Sequence, residues 1–212
     1  MCGLGRTVCF LSLPVLLCLP ASAAQPRPIV LPLWFHVAQL HGAPVVDRGW
    51  IAGQARDANR VFAPAGVAFR VTAITPLDAK SARMESRRDR HALGAFTRPA
   101  VVNCFVVASL RDVDEPGRFR YGVHWRSRAY RGRHYVIISK IAGANVLGHE
   151  LGHFFGNRRH SDVPGNIMSY TWGPTQPGFD PDQIQTVRDF VQRYLSTGAL
   201  RGLAEPATSS QR

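Results

Sequence analysis

Cysteine is scarce in this chain of 212 residues, which contains four. Three of them, Cys2, Cys9 and Cys18, fall in an N-terminal segment with the features of a removable leader. Only Cys104 would then remain, so the mature chain could form no internal disulfide. Its fold must be stabilised by core burial, and about 190 residues are enough for one domain with such a core. Cys104 lies in the apolar run 101–110, which predicts a buried, small hydrophobic side chain.

The N-terminal segment also lacks a hydrophobic run long enough to cross a bilayer. Residues 8–19 are apolar, whereas a membrane-spanning helix needs about 20 such residues. Arg6 precedes this run and Ala21-Ser22-Ala23 follows it, which is the pattern of a secretory signal peptide cut after Ala23. We therefore expect residues 1–23 to be a signal peptide, with an uncleaved N-terminal anchor as the alternative. The mature protein would be secreted or periplasmic, without a transmembrane segment.

Acidic residues are outnumbered, with 14 Asp and Glu against 26 Lys and Arg, which gives a formal net charge of +12. The arginines concentrate in residues 83–133. A positive field of this kind favours anionic surfaces or polymers as partners, and solubility with an arginine-rich composition is the simpler explanation. The arginines are not interleaved with aromatic residues as in single-strand binders, so we expect no specific nucleic-acid recognition. We expect a monomer.

Hydrophobic periodicity predicts one α+β domain over residues 29–197. A strand, a helix and a second strand open it, which suggests a βαβ unit with parallel strands. Asp180 and Pro181 have the residue types of an N-cap and first helical position, and Gly198 would close that last helix. The predicted strands are 29–40, 67–74, 101–110, 119–126 and 134–139; the predicted helices are 48–62, 141–157 and 180–197, with partial helix in 77–96. We expect residues 24–28 to be a lead-in and 198–212 a disordered tail.

The most informative pattern is H-E-x-x-H at residues 149–153. Residues four apart share one face of a helix, so His149 and His153 can both direct an imidazole at one Zn²⁺. Glu150 lies beside them, where it could accept a proton from water. Gly148 and Gly152 each lower helix propensity by roughly 1 kcal/mol, which indicates the close approach of another backbone, such as that of a sheet.

A catalytic zinc site needs three protein ligands, so a third should follow this helix. Gly156 can adopt positive φ, end the helix and let the chain turn back. His160 is our first choice for the third ligand, and Asp162 is the alternative because carboxylate oxygen also binds Zn²⁺. Bound zinc polarises a scissile carbonyl and lowers the pKa of water, and Glu150 would carry the proton to the leaving amine.

These residues resemble the signature of the metzincin metallopeptidases, H-E-x-x-H-x-x-G-x-x-H or the same pattern ending in Asp, followed by a Met-turn. The positions that match one by one are His149, Glu150, His153 and Gly156. The position of the third ligand holds Arg159, and the histidine comes one residue later, at His160. The resemblance therefore implies a one-residue insertion in the turn or a different third ligand.

Residues 166–170, Asn-Ile-Met-Ser-Tyr, resemble the Met-turn, in which Met168 would pack beneath the metal. In the astacin and serralysin branches a tyrosine two residues after that methionine approaches the zinc, and Tyr170 has this position. The resemblance implies that Tyr170 could bind the metal in the free enzyme and stabilise the oxyanion, with a packing aromatic as the alternative.

The resemblance also implies a twisted mixed sheet, an active-site helix, a C-terminal helix and an edge strand above the cleft, for which 119–126 is the candidate. His124 and Trp125 lie on that strand, and core or solvent contacts are their simpler interpretation.

The sequence therefore predicts an exported, zinc-dependent endopeptidase that acts on peptide or protein substrates. The displaced His160 leaves open a catalytically inactive zinc-binding protein of the same fold. A basic, anion-binding exported protein, in which the motif is incidental, is the other alternative. The resemblance implies that specificity depends on the loop after the Met-turn, here residues 171–179.

Overall fold

A computed structural model describes residues 27–171 and 176–204, and the predicted signal peptide lies outside these ranges. The strands are β1 (Ile29–Leu40), β2 (Ala43–Pro44), β3 (Val67–Leu77), β4 (Arg83–Met84), β5 (Val102–Val107), β6 (Ser109–Leu110), β7 (Gly122–Arg126) and β8 (His134–Ser139). The helices are α1 (Arg48–Phe62), α2 (Arg87–Ala92), α3 (Val146–Phe154) and α4 (Pro181–Ser196), with 3₁₀ turns at Ala63–Ala65, Ala79–Ser81 and Leu93–Phe96.

One twisted mixed sheet organises the chain. Its main strands lie in the order β3, β1, β5, β8, β7, and the short β2 folds back on the end of β1. The first four of these strands are parallel, and β7 is antiparallel to β8. The predicted strand–helix–strand opening is confirmed, because β1 and β3 pair in parallel and α1 connects them. The α+β fold class is confirmed as well.

The sheet has an apolar core on each face. In β5, Cys104 and Val106 belong to the core that packs against α1, α3 and α4, whereas Phe105 and Val107 belong to the second core. This alternation follows from the two-residue period of a strand. Burial on both faces explains why residues 101–110 read as a continuous apolar run. The prediction that Cys104 is a buried small hydrophobe is confirmed, since its exposed fraction is 0%.

β7 is the edge strand expected from the sequence, although it begins later than predicted. It pairs with β8, and no strand of the described residues pairs with its other side. Val123 and Trp125 pack against the second core. The opposite face of β7 is directed at α3, because a Cβ at Gly122 would contact Glu150 and the His124 ring packs on Phe154.

α3 is shorter at both ends than the predicted helix over 141–157. Asn145 precedes it with a φ of +73°, in the left-handed region that asparagine tolerates better than most residues. The Arg60 guanidinium donates a 2.6 Å hydrogen bond to Oδ1 of Asn145, which fixes this conformation. Gly156 follows the helix with a φ of +99°, as its residue type predicted.

Gly148 and Gly152 do bring other segments close to α3, but neither partner is a sheet. A Cβ at Gly148 would lie 3.5 Å from Cγ2 of Val61, so this glycine faces helix α1. A Cβ at Gly152 would collide with the sulfur of Met168. The expected close approach of another backbone is confirmed at Gly148, where a Cβ would lie 3.8 Å from Cα of Ala58, and the backbone is that of α1 and not of a sheet.

α4 begins and ends where the sequence predicted. The Asp180 carboxylate caps the helix by accepting the Gln183 N–H at 2.8 Å, and Gly198 follows with a φ of +71°. Residues 198–204, assigned from the sequence to a disordered tail, instead continue along the first core. Leu200 is 3% exposed there, and the Leu203 N–H bonds the Val30 carbonyl at 2.8 Å. Residues 205–212 lie outside the described ranges.

No helix within residues 27–171 or 176–204 has the length and apolar character needed to cross a membrane.

Gly156→Ala should destabilise the fold by at least about 2 kcal/mol, because alanine disfavours the positive φ of this position and its methyl group would collide with the Phe190 ring. Gly143→Ala is the matched control, since a Cβ at Gly143 would meet no other atom within 4 Å and the residue has no positive φ. Chemical denaturation of both variants measures the difference. Equal midpoints for the two variants would contradict the role assigned to Gly156.

Candidate functional site

Three histidines meet at the C-terminal part of α3. The helix places His149 and His153 one turn apart on one face, and the chain beyond Gly156 brings back His160. One ring nitrogen from each lies within 4.8 Å of the others, and the Nε2 atoms of His153 and His160 are 3.2 Å apart. Within the described ranges, this is the one group of three or more potential metal ligands.

Backbone carbonyls orient the two helical imidazoles. Nδ1 of His149 donates to the Ile167 carbonyl at 2.8 Å, and Nδ1 of His153 donates to the Asn157 carbonyl at 2.7 Å. A carbonyl only accepts, so the proton is on Nδ1 and the lone pair is on Nε2. A hydrogen bond from the second ring nitrogen to a carbonyl is the usual outer partner of a metal-binding histidine.

Loss of hydration favours the neutral form of these imidazoles. It lowers the pKa of His153 to about 4, with a further contribution from the neighbouring His149. Burial is also the main reason why the pKa values of His149 and His160 are lowered. A neutral imidazole is the form that binds a metal, so the three side chains are ready ligands near pH 7. Three imidazole nitrogens are a donor set that fits Zn²⁺.

The chain accommodates the displaced histidine in the turn after α3. The N–H groups of Gly156 and Asn157 bond the carbonyls of His153 and Gly152, which closes the helix before the chain reverses. Arg159, at the position of the expected ligand, is exposed. Asp162 is exposed too and lies outside the histidine group, so the geometry favours His160 over the alternative.

The segment around Met168 lies against α3 at Gly152. Met168 is fully buried, and its side chain occupies the space that a Cβ at Gly152 would need. Asn166 holds this segment by accepting the Met168 N–H at 2.8 Å and by donating to Oε1 of Gln183 at 2.9 Å. Met168 therefore packs against the helix that carries His149 and His153, at the glycine that precedes His153.

Glu150 is 6% exposed, and the edge strand provides its space. A Cβ at Gly122 would lie 2.8 Å from Cγ of Glu150. Burial raises the pKa of Glu150 to about 8 in the metal-free protein, and the His124 backbone N–H acts in the opposite direction. The sequence did not identify Gly122, because its importance depends on a contact between segments that are distant in the chain.

Tyr170 lies at the rim of the histidine group. Its ring centroid is 4.2 Å from that of His160 and 6.0 Å from that of His149, and the residue is 68% exposed. Its hydroxyl group therefore belongs to an exposed ring beside two candidate ligands. The catalytic role of Tyr170 stays a prediction.

A cleft of about 780 Å³ runs from the histidines along β7 to the loop that precedes it. Arg90 of α2, Asp112 and Arg120 line its far part. These three residues were not predicted from the sequence, although Ser86 and Asp89 form a capping box that marks the start of α2. This is the S-x-x-D signature, and it could have been read from the residues.

Many arginines of residues 83–133 are engaged with acidic groups. Ion pairs join Arg87 to Asp114, Arg111 to Glu85, Arg118 to Glu115 and Arg120 to Asp112. These pairs engage four of the twelve arginines, and the segment stays positive because it contains only five Asp and Glu. Binding of an anionic surface or polymer stays a prediction.

No protein-family model and no curated protein matches this chain. Solved structures do resemble it. Mature mirolysin of Tannerella forsythia, in complex with a cleaved peptide, superposes with a TM-score of 0.59 at 13% identity, over 84% of this chain and 100% of that one. Metalloproteinase-II from Bacteroides fragilis gives a TM-score of 0.55 at 13% identity, over 81% of this chain and 55% of that one. Archaemetzincin from Methanopyrus kandleri gives 0.51 at 14% identity, over 79% and 99%.

The fold is that of the metzincin-type zinc peptidases, and the resemblance drawn from residues 149–170 is confirmed at this level. Identities of 13% to 14% are too low to transfer catalytic residues. Any assignment of metal ligands or catalytic residues in this chain therefore has to rest on its own geometry.

His160→Ala should weaken Zn²⁺ binding by more than about a hundredfold, because it removes one of three imidazole ligands. Asp162→Ala should leave the affinity within about twofold, since Asp162 lies outside the histidine group. Competitive titration of Zn²⁺ against a chromophoric chelator measures both. A larger loss in Asp162→Ala would falsify the assignment of His160.

Glu150→Gln should stabilise the metal-free protein, and increasingly so as the pH rises. The folded-state pKa of about 8 exceeds the ordinary value of 4.5, so the folded protein holds a proton that the unfolded chain releases between these values. Stability of the wild type is therefore lost as the pH rises from 4.5 to about 8, at about 1.4 kcal/mol for each pH unit at most.

Thermal unfolding with a chelator present, at pH 5 and pH 8.5, measures this effect. The melting temperature of Glu150→Gln should exceed that of the wild type by more at pH 8.5 than at pH 5. A difference that is independent of pH would contradict the burial of an ionisable Glu150.

Proposed function

We propose that this protein is a zinc-dependent endopeptidase in which His149, His153 and His160 hold the metal and Glu150 is the general base. The observation that supports this most is the convergence of three imidazoles beside the buried carboxyl group of Glu150, in a cleft bounded by the edge of β7 that no described strand pairs with. The fold, which resembles those of solved metallopeptidases, supports a peptidase-like function in general.

The three histidines fit Zn²⁺ in type, protonation and outer hydrogen bonding. Zinc bound there would supply a Lewis acid that polarises the scissile carbonyl and lowers the pKa of water. The carbonyls of Ile167 and Asn157 would keep the rings of His149 and His153 in the binding orientation.

Substrate would bind to the free edge of β7 by strand addition. Main-chain hydrogen bonds would hold the peptide extended across the face of α3 that carries Glu150. This carboxylate would accept a proton from the attacking water and pass it to the amine of the leaving group. Gly122 would keep β7 close to Glu150 without displacing the carboxylate.

Tyr170 is proposed as a hydrogen-bond donor to the oxyanion that forms when water attacks the carbonyl. The exposed ring lies over His160, where it borders the cleft. A donor aimed at the developing negative charge stabilises the transition state more than the bound substrate.

The proposal includes export, on the evidence of the sequence. Residues 6–23 combine a basic start, a short apolar run and a small-residue cleavage site. N-terminal sequencing of the protein from its native host should give a first residue of Ala24. Retention of residues 1–23 would contradict signal-peptide cleavage.

The decisive experiment compares the wild type with Glu150→Gln on a peptide library, together with metal analysis. The wild type should contain one zinc per chain and cleave internal peptide bonds. Glu150→Gln should keep the zinc and lose at least about a thousandfold in kcat/KM, because the general base is gone. A protein that keeps zinc but shows no Glu150-dependent turnover would be the inactive zinc-binding alternative. Binding of a polyanion that persists in chelator and weakens steeply with salt, without turnover, would favour the anion-binding alternative.

Tyr170→Phe should lower kcat by about ten- to a hundredfold and change KM by less than about threefold, since the hydroxyl acts mainly in the transition state. Steady-state kinetics on one library-derived peptide gives both constants. Tyr130→Phe is the control, because that hydroxyl lies outside the cleft lining. An unchanged kcat in Tyr170→Phe would exclude the oxyanion role.

A further inference from the structure

Arg90 is a buried cation in the wall of the cleft. It is 3% exposed, and its guanidinium lies over the Trp125 ring, 4.9 Å from the ring centroid. Nη2 donates to the Arg111 carbonyl, and Nε is buried without a hydrogen-bond partner. Within residues 27–171 and 176–204, no carboxylate forms an ion pair with Arg90.

The acidic groups near Arg90 are already engaged elsewhere. Asp112 accepts Nε of Arg120 and the N–H groups of Asp114 and Glu115. The Asp114 carboxylate pairs with Arg87. Burial lowers the pKa of Arg90, although Asp112 and Asp114 oppose this effect from a distance. A buried charge without a paired counter-charge is costly, which calls for a partner outside the chain.

Side chains alternate between the two faces of β7, and Arg90 lies on one of these faces. A peptide bound along the strand would therefore have Arg90 on one defined side. Gly122 and His124 face α3, whereas Val123 and Trp125 face the second core. A peptide that adds to the free edge of β7 would direct alternate side chains to these two faces. Those on the Trp125 side would extend towards Arg90.

We propose that Arg90 and Trp125 form a carboxylate-binding subsite, so that this cleft prefers substrates with an acidic residue on that side of the peptide. The inference rests on the proposed peptidase function. A guanidinium with unused N–H groups can bind a carboxylate through two parallel hydrogen bonds. The Trp125 ring packs against the guanidinium of Arg90. A side-chain carboxylate and a C-terminal carboxylate share this chemistry, and the side chain is the expected source.

The test uses pairs of peptides blocked at both ends that differ by Glu or Gln at one position near the cleaved bond. The wild type should show a kcat/KM about tenfold or more higher for Glu at one position. Arg90→Gln should reduce this ratio to about one while it cleaves the Gln peptide at nearly the wild-type rate. Arg88→Gln is the matched control, since Arg88 is exposed on the same helix and outside the cleft lining.

Folding of the variants is measured by thermal unfolding and zinc content. If Arg90→Gln does not fold, Arg90→Lys replaces it, because lysine keeps the charge and loses the two-pronged geometry. The Lys variant should lower the Glu-to-Gln ratio of kcat/KM about threefold or more, and an unchanged ratio would overturn the subsite.

A second peptide pair, with a free or an amidated C-terminus, identifies the source of the carboxylate. An Arg90-dependent preference for the free C-terminus would support the subsite and assign the C-terminal group to it.

Failure of this inference can be told apart from failure of the proposed function. Peptide cleavage without any Arg90-dependent preference for a carboxylate would overturn the subsite and leave the peptidase function standing. If the wild type cleaves no peptide, binding of labelled Glu and Gln peptides is measured by fluorescence anisotropy. Tighter binding of the Glu peptide that is lost in Arg90→Gln would support the subsite alone, and equal binding would overturn it.

Discussion

The reversal of the chain at Gly156 is the constraint on which the site depends. α3 can direct two imidazoles at one point, but a third ligand has to return from beyond the helix. The φ of +99° at Gly156 and the hydrogen bonds that close the helix at Asn157 allow that return. As a result, Nε2 of His160 lies 3.2 Å from Nε2 of His153. The Phe190 ring of α4 leaves no room for a side chain at Gly156. The C-terminal helix therefore supports the site from outside, through packing.

The edge strand β7 connects the histidine group with the rest of the cleft. Its α3 side gives Glu150 space at Gly122, its other side carries Trp125 beneath Arg90, and its outer backbone edge is unpaired in the described structure. The free edge of this strand suits binding of an extended peptide by main-chain hydrogen bonds. The same short element would then position the general base, the substrate backbone and one substrate side chain.

The sequence predicted those features that depend on local spacing. The i, i+4 histidines, the glycine after the helix and the Met-turn spacing are readable because each reflects one turn of backbone. β1, α1 and β8 were located because their apolar periodicity is strong. The features that were missed depend on segments far apart in the chain. Gly122 gives space to Glu150 because α3 approaches it. Arg90 becomes a buried cation because Trp125 and the loop that precedes β7 enclose it. α3 was predicted too long since the left-handed Asn145 is stabilised by Arg60, which is distant in sequence.

We propose above all that three imidazoles of this chain bind one zinc ion and leave a position for water. X-ray absorption at the zinc edge of the purified protein measures this directly. We expect one zinc per chain with three imidazole nitrogens at about 2.0–2.1 Å and one oxygen ligand. A chain purified without zinc that also takes up none on titration, or a first shell with two imidazoles and a carboxylate in place of His160, would contradict it.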